Sequence, residues 1–494
     1  MSTIEPSHTG PLAGDRRLYI DGQLVDAADK GLMEVIDPST ERPAGEAADA
    51  TAEDMDRAVA AARRSFDEGV WARDPQLRHR CLMQLHEALA AERERLRRVV
   101  VTEAGSPIRL TDGVQLQQPI DEARYWAEMA RDFPYEQEWS DHVSNGRPSG
   151  RRVHYEPVGV VGAITPWNYP LYLDVAESVP ALAAGNSVVL KPAPDTPWSG
   201  LELGRIIAER TDIPPGVFNV VTTGSVAVSE LLTTDPRVDM ITFTGSTATG
   251  KRVLAASAAT VKRCFMELGG KSAHIVLDDA DLTKVLPRTS AVCSHSGQGC
   301  TLSTRLLVPR NRYDASLAIL EQVFQRIPVG DAWDPATLHG PQINEAQMTK
   351  VLTMVEEGVA SGARLVTGGK RIDRTGYYVE PTVLADVDPG SRIGQEEVFG
   401  PVLCVLPYDS EDEAVAIANG TPYGLAGEVS SGSDERALAV ARRLRAGNVG
   451  VNGGGYFGVS TPLGGYGQSG NGRRNGEEGF REYMELKAIG MPKR

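Results

Sequence analysis

No stretch of this chain approaches the ~20 consecutive apolar residues that a membrane-spanning helix requires, so no transmembrane segment is expected. Cysteine is scarce: Cys81, Cys264, Cys293, Cys300 and Cys404 are five in 494 residues, with no CxxC pair among them. A number that is odd and small for the length excludes a disulfide framework and points to a reduced, cytoplasmic protein. No histidine cluster has metal-ligand spacing, so no metal is expected. Basic charge is in deficit, with 51 Lys and Arg against 66 Asp and Glu and a formal net charge of −15. That balance argues against nucleic acid or an anionic membrane as a partner. Residues 1–14 are polar and carry no apolar run, so no secretory signal is read there. The first 15 or so residues are expected to fray.

At roughly 150 residues per domain, the length suggests about three structural units. Hydrophobic residues make up 41% and charged residues 24%, an ordinary globular mix. Thr51-Ala-Glu-Asp54 reads as a capping box, followed by Met55, Val59, Ala62 and Phe66 at helical spacing. Leu77, Cys81, Leu85 and Leu89 stripe a second helix. From Val158 the pattern changes to short β-branched runs, 158–164, 187–190, 217–221, 238–243 and 262–268, alternating with helical stretches. Such alternation predicts βαβ units around a buried parallel sheet. A second alternating block runs from Ala273 to about Val451 and predicts a second α/β domain. Residues 133–155 are polar, with turn signals at Asn145-Gly146 and Pro148-Ser-Gly150, and suit a projecting hairpin. The tail 447–476 is glycine-rich and carries Tyr456-Phe457. It reads either as a flexible linker or as a loop lining an active site.

Several motifs fall where a strand of the predicted sheet ends, the edge at which open α/β sheets bind ligands. The strand closing at Ile164 runs into Thr165-Pro-Trp-Asn-Tyr-Pro170, where two prolines would hold the Asn168 amide rigidly. Such a donor can stabilise an oxyanion, although Asn in a turn is also common. Leu190-Lys-Pro-Ala193 places a cation at the same edge, or merely a solvated lysine. Phe243-Thr-Gly-Ser-Thr247 opens a helix with Gly245 and Ser246, a start that attracts phosphate. It lacks the GxGxxG fingerprint, and many such helix starts bind nothing. Glu267 stands beside two glycines, as base or as loop cap. Cys300 follows Gly297-Gln-Gly, as a nucleophile would need or as a small buried apolar residue. Glu397-Val-Phe-Gly-Pro401 adds an acid near an aromatic.

Together with Ser469-Gly-Asn-Gly-Arg473, these motifs resemble the aldehyde dehydrogenase superfamily in order and spacing, from about Leu18 to Pro492. The resemblance implies a Rossmann-type cofactor domain over 15–134 and 158–268, and a catalytic α/β domain over 269–466. It also implies a bridging segment over 135–157 and 483–494 that builds homodimers or homotetramers. It implies that Cys300 is the nucleophile, Asn168 an oxyanion donor and Glu267 the base that activates water. NAD, with NADP possible, would be held by Ile164, Thr165, Trp167, Lys191, Gly245, Ser246, Gln347, Glu397 and Phe399. The substrate would be a small-molecule aldehyde, oxidised to the acid. A free thiol near pKa ~8.5 would supply a few per cent of thiolate at neutral pH.

Departures from the family pattern sharpen the reading. Pro194 stands where relatives often carry a Glu that repels a 2′-phosphate, which leaves NAD selectivity open. His295 replaces a frequent Asn and reads as packing, with a metal or base role as the alternative. Ala176 replaces a bulky aromatic and predicts a wider tunnel, lined also by Tyr169, Leu173, Gly299, Thr301, Tyr456 and Phe457. Those walls favour an apolar or aromatic aldehyde. Glu177 and Arg474 invert a Lys and a Glu of many relatives, which predicts a buried ion pair near the water path to Glu267. Two competing functions are a CoA-acylating dehydrogenase, against which Glu267 argues, and a non-catalytic binding protein on the same fold.

Overall fold

The structure, a computed structural model, describes residues 14–493. The expectations for residues 1–13 therefore lie outside the described residues. An eight-stranded sheet forms the first core. Five parallel strands lie at its centre in the order Arg263–Glu267, Met240–Thr244, Val160–Ile164, Ser187–Lys191 and Phe218–Val220. Every residue of the strands at 160–164, 187–191 and 240–244 is buried, which explains their unbroken apolar and β-branched character. Register aligns the strand ends: Ile164 faces Lys191, Phe243 faces Ile164, and Thr244 faces Glu267. Four of the motifs thereby arrive at one edge.

The sheet extends past what periodicity suggested. Leu18–Ile20 and Gln23–Val25 add antiparallel strands at one margin. Gly470–Asn471, from the glycine-rich tail, adds an antiparallel strand at the other, beside Arg263–Glu267. The tail is thus not a free linker. Helix Ala52–Glu68 packs on this sheet, started by the reciprocal Thr51–Asp54 capping box and stopped at Gly69 in the left-handed region (φ 72°).

A seven-stranded sheet forms the second core. Six strands, from Thr382–Ala385 through Val402–Tyr408, Arg305–Pro309, Ala273–Val276 and Ala426–Ser430 to Asn448–Val451, run parallel. Arg364–Thr367 is antiparallel at its margin. The chain therefore holds two α/β units with mixed sheets.

Glu136–Ser144 and Arg147–Pro157 form the expected hairpin, turning at Asn145-Gly146 with φ of 52° and 75°. Met484–Pro492 pairs along its second strand from Met484 opposite Pro157 to Pro492 opposite Ser149. Trp139, Val143, Leu486 and Met491 of this three-stranded sheet are exposed. No helix among the described residues is long and apolar enough to cross a membrane.

Candidate active site

A cleft of about 1320 Å³, including the solvent at its mouth, opens where the strand ends of the first sheet face the loop carrying Cys300. Its walls include Trp167, Asn168, Gly245, Ser246, Glu267, Cys300, Gln347, Glu397 and Phe399. Ile164, Thr165 and Lys191 are buried at the adjacent sheet edge and do not reach the wall. Thr165 donates to Asp174 (2.6 Å), and burial lowers the Lys191 ammonium to about 8 against the pull of Asp195 and Asp174.

The loop before Cys300 is held in an unusual shape. His295, Ser296 and Gly297 all lie in the left-handed region, with φ of 48°, 58° and 74°. A Cβ at Gly297 would stand 2.1 Å from the backbone of Gly400, so only glycine fits there. Side chains pin the rest. The Gln342 amide donates to Ser296 O (2.8 Å), the Ser296 hydroxyl to Gly340 O (2.6 Å), and Ile343 N to Gln298 Oε1 (2.8 Å). Asn168 donates one amide hydrogen to Gln298 O (2.9 Å), while its backbone carbonyl accepts from Gln115 Nε2 (3.0 Å). The second amide hydrogen of Asn168 is left for a ligand in the cleft.

Cys300 is partly accessible, yet its thiol is enclosed. Burial pushes it up to about 12, and the charges of Glu397 and Glu267 add to the rise. That shift favours the thiol over the few per cent of thiolate expected for a free cysteine. Glu267 lines the same cleft. Its carboxyl is raised to about 8 by burial, with Arg474 opposing and Glu177 reinforcing the rise. Its Oε1 has no hydrogen-bond partner among the described residues.

At the other end, Glu397 accepts from Gly270 N (2.9 Å), and desolvation raises its carboxyl to about 7. Phe399 lies in the left-handed region (φ 59°), edge-on to Trp167 with centroids 5.3 Å apart. Gln347 donates to Phe399 O (2.8 Å) and Val398 O (3.2 Å), so its amide holds this bend instead of pointing both donors into the cleft. Ser246 caps helix Thr247–Ser257 at the cleft wall. An anion-attracting helix start beside enclosed carboxyls and an aromatic suits a dinucleotide.

Other expectations need correction. Ala176 is 1% exposed and packs with Tyr172 and Leu173, which line the cleft while Ala176 does not. Gly299 and Tyr456 also stand off this cleft, whereas Tyr169, Leu173, Thr301 and Phe457 line it. Pro194 is exposed; Asp195 beside it accepts from Asn344 (2.8 Å), and its charge opposes the lowering of Lys191. His295 is buried against Tyr169 (centroids 5.4 Å), and burial lowers its imidazole to about 4. No group of three or more metal-ligating side chains occurs among the described residues.

The Glu177–Arg474 pair is present. Arg474 Nη2 donates to Glu177 Oε1 and to Thr244 Oγ1 (2.7 Å), and the Thr242 and Thr244 hydroxyls donate to the same carboxylate.

The model of the aldehyde dehydrogenase family matches residues 24–489. The chain belongs to that family. Like this aldehyde dehydrogenase, the 3-succinoylsemialdehyde-pyridine dehydrogenase of a Pseudomonas species shares 42% identity over 481 residues, covering 96% of this chain and 98% of that one. The geranial dehydrogenase of Castellaniella defragrans is 38% identical over 96% of this chain and 98% of its own. Among solved structures, a mutant of aldehyde dehydrogenase C from Pseudomonas syringae in complex with NAD+ and octanal is similar with a TM-score of 0.91 and 39% identity. It covers 97% of this dehydrogenase and 98% of its own chain.

Sequence reasoning missed Tyr172, Lys350, Val114 and Leu463 as lining residues. Helical spacing carried a signal for two of them: Tyr172 lies three residues beyond Tyr169, and Lys350 three beyond Gln347 on helix Glu345–Ala360.

Proposed function

We propose that this protein oxidises an apolar or aromatic aldehyde to its carboxylic acid, with NAD as hydride acceptor and water as the final nucleophile. The observation that carries the reading is the meeting of Cys300, Glu267 and Asn168 on one wall system with Gly245, Ser246, Glu397 and Phe399. The Cys300 thiol gives its proton to water in the cleft as sulfur attacks the carbonyl carbon. Asn168, with its free amide hydrogen, and the Cys300 backbone N–H receive the oxyanion. One such donor is typically worth ~2.7–4 kcal/mol. The hydride acceptor would be supplied by NAD, and loss of hydride from the tetrahedral carbon would leave a thioester on Cys300.

Glu267 then takes a proton from water as the water oxygen bonds to the thioester carbon. A positioned base of this kind typically contributes ~10²–10⁴-fold. Ser246 and the helix behind it would hold the pyrophosphate. Lys191, together with Ile164 and Thr165 at its sheet edge, would hold the adenosine ribose. Glu397 would hold the nicotinamide ribose, with Phe399 and Trp167 against the ring and Gln347 fixing the Phe399 bend.

Val114, Tyr169, Tyr172, Leu173, Phe457 and Leu463 give the substrate side apolar and aromatic walls. A pyridine semialdehyde, geranial and octanal, named for the relatives, have the same character. The exposed apolar residues of the three-stranded sheet support assembly into homodimers or homotetramers, which light scattering of the purified chain would measure. The deciding experiment follows NADH absorbance over a panel of alkyl, terpenoid and aryl aldehydes, with and without CoA. Turnover that requires CoA, or that is confined to short polar aldehydes, would overturn the reading.

A further inference from the structure

Five buried polar atoms beside the cleft lack a hydrogen-bond partner among the described residues. They are Glu267 Oε1, Arg474 Nε, the Tyr172 hydroxyl, Glu122 Oε2 and Asn475 Oδ1. Buried polar groups are hydrogen-bonded as a rule, and one left bare costs roughly 1–3 kcal/mol. A cluster of such atoms is the setting in which buried water is held, each molecule joining about three polar groups. The groups share one electrostatic neighbourhood: Arg474 is coupled to Glu267 and Tyr172, Glu122 is coupled to Tyr172 and Arg474, and Asn475 adjoins Tyr172. Glu267, Tyr172 and Arg474 line the cleft, and Glu122 stands behind them on helix Gln117–Asp132, 1% exposed. Glu122 Oε1 accepts from Gln118 (2.9 Å), which is half-buried, and Asp121 beside it is exposed, so solvent lies within one helical turn of Glu122.

The proposed reaction needs such a route. Glu267 gains a proton each turnover and is itself only 4% exposed. Arg474 cannot accept that proton, because a guanidinium stays charged, and it is tied to Glu177. Glu122 is the nearby carboxylate with no ion-pair partner among the described residues.

We propose that Glu122 receives the proton that Glu267 takes from water, through water held by Tyr172, Asn475 and Arg474, and releases it to solvent beside Gln118 and Asp121. The inference rests on Glu267 being the base. As the water oxygen bonds to the thioester carbon, its proton moves to Glu267, and the C–S electron pair returns to Cys300 Sγ. Glu267 gives its proton to a bridging water, which gives one of its own to the Glu122 carboxylate. Nothing is oxidised in these steps. Burial raises Glu122 to about 7, while Gln118 and Arg474 lower it and Asp121 raises it. Glu267 lies at about 8, so the two carboxyls can exchange a proton at little cost.

The test uses Glu122→Gln and Tyr172→Phe in the full chain, with rapid mixing and steady-state NADH formation. In Glu122→Gln, the first equivalent of NADH should form at the wild-type rate. Steady turnover should then fall about ten-fold, less than the ~10²–10⁴ of a direct base. Rising imidazole buffer at fixed pH and ionic strength should restore turnover, and Glu122→Asp should retain most of it. Tyr172→Phe should show a weaker version of the same buffer response. Wild-type turnover in Glu122→Gln, a loss that imidazole does not repair, or a change in KM alone would each overturn the relay. The last would mark the cluster as a substrate contact. Failure of wild type itself to form NADH would strike the dehydrogenase reading instead.

Discussion

Substituting Glu177 by Lys places two cations in a site built for one of each sign. Side-chain exposure of the native pair is 0% for Glu177 and 5% for Arg474, so solvent cannot screen the repulsion. Three donors converge on the Glu177 carboxylate, from Thr242, Thr244 and Arg474, and all three lose their acceptor. Breaking a buried pair by removing one partner typically costs ~3–5 kcal/mol. At about 2–4 °C per kcal/mol for an unfolding unit of ~150–250 residues, Tm should drop by roughly 6–20 °C. Adding Arg474→Glu should recover most of the loss, because hydroxyls accept as well as donate and the two threonines can rotate to serve an ammonium. Thermal unfolding of wild type, both single variants and the double variant supplies the cycle. If the double variant loses the sum of the two single losses, within ~0.3–0.5 kcal/mol, the residues are not coupled and the argument fails.

Cys300→Ala should abolish oxidation while NAD still quenches protein fluorescence on binding; more than about a hundredth of wild-type turnover would remove Cys300 as the covalent nucleophile. Glu267→Gln should give a burst of about one NADH per site and then stall, since an amide cannot take a proton from water. In wild type, the ionised form of Glu267 is the active one and burial raises its pKa, so kcat should rise with pH through about 8. Arg474→Gln removes the cation that holds Glu267 down, and should move that rise to higher pH; an unmoved profile would show that Arg474 does not act on the base. Asp195→Asn should raise kcat/KM for NADP relative to NAD, because Asp195 is the carboxylate beside Lys191, and Pro194→Glu should lower it. Equal ratios in all three proteins would show that neither position reads the 2′-phosphate.

The parts legible in the sequence were those written in local periodicity and short motifs. The buried parallel strands announced themselves because both faces are covered, and the Thr51–Asp54 box because a helix start is a local event. Glu267, Cys300 and Asn168 were legible as a set, not singly. What stayed hidden depends on distant chain segments. Gly470–Asn471 is too short to have a period, and only its neighbour Arg263–Glu267 makes it a strand. That Ala176 packs with Tyr172 and Leu173 depends on which face of a fully buried helix meets the cleft, which a position in a motif does not say. Asp195 carried no signal because a motif position such as Pro194 does not show which neighbouring charge the fold brings to Lys191. Glu122 carried no signal at all, since a glutamate in a helix looks like any solvated one until the fold buries it.

Strand Gly470–Asn471 comes from the far end of the chain yet is stitched to the edge of the first sheet, with Leu268 N donating to Ser469 O at 2.9 Å. The Glu177–Arg474 pair lies in the same seam. Such a clasp resists a hinge. Two lobes that share a β-ladder swing apart only by unzipping it, so a cleft of nearly fixed width is expected as the dinucleotide enters and leaves. The motion that times cofactor exchange then belongs to small parts, above all the left-handed bend at Phe399 and the ring of Trp167. Amide hydrogens along the clasp should exchange only with unfolding of the whole sheet, while those around Phe399 exchange locally and answer to cofactor.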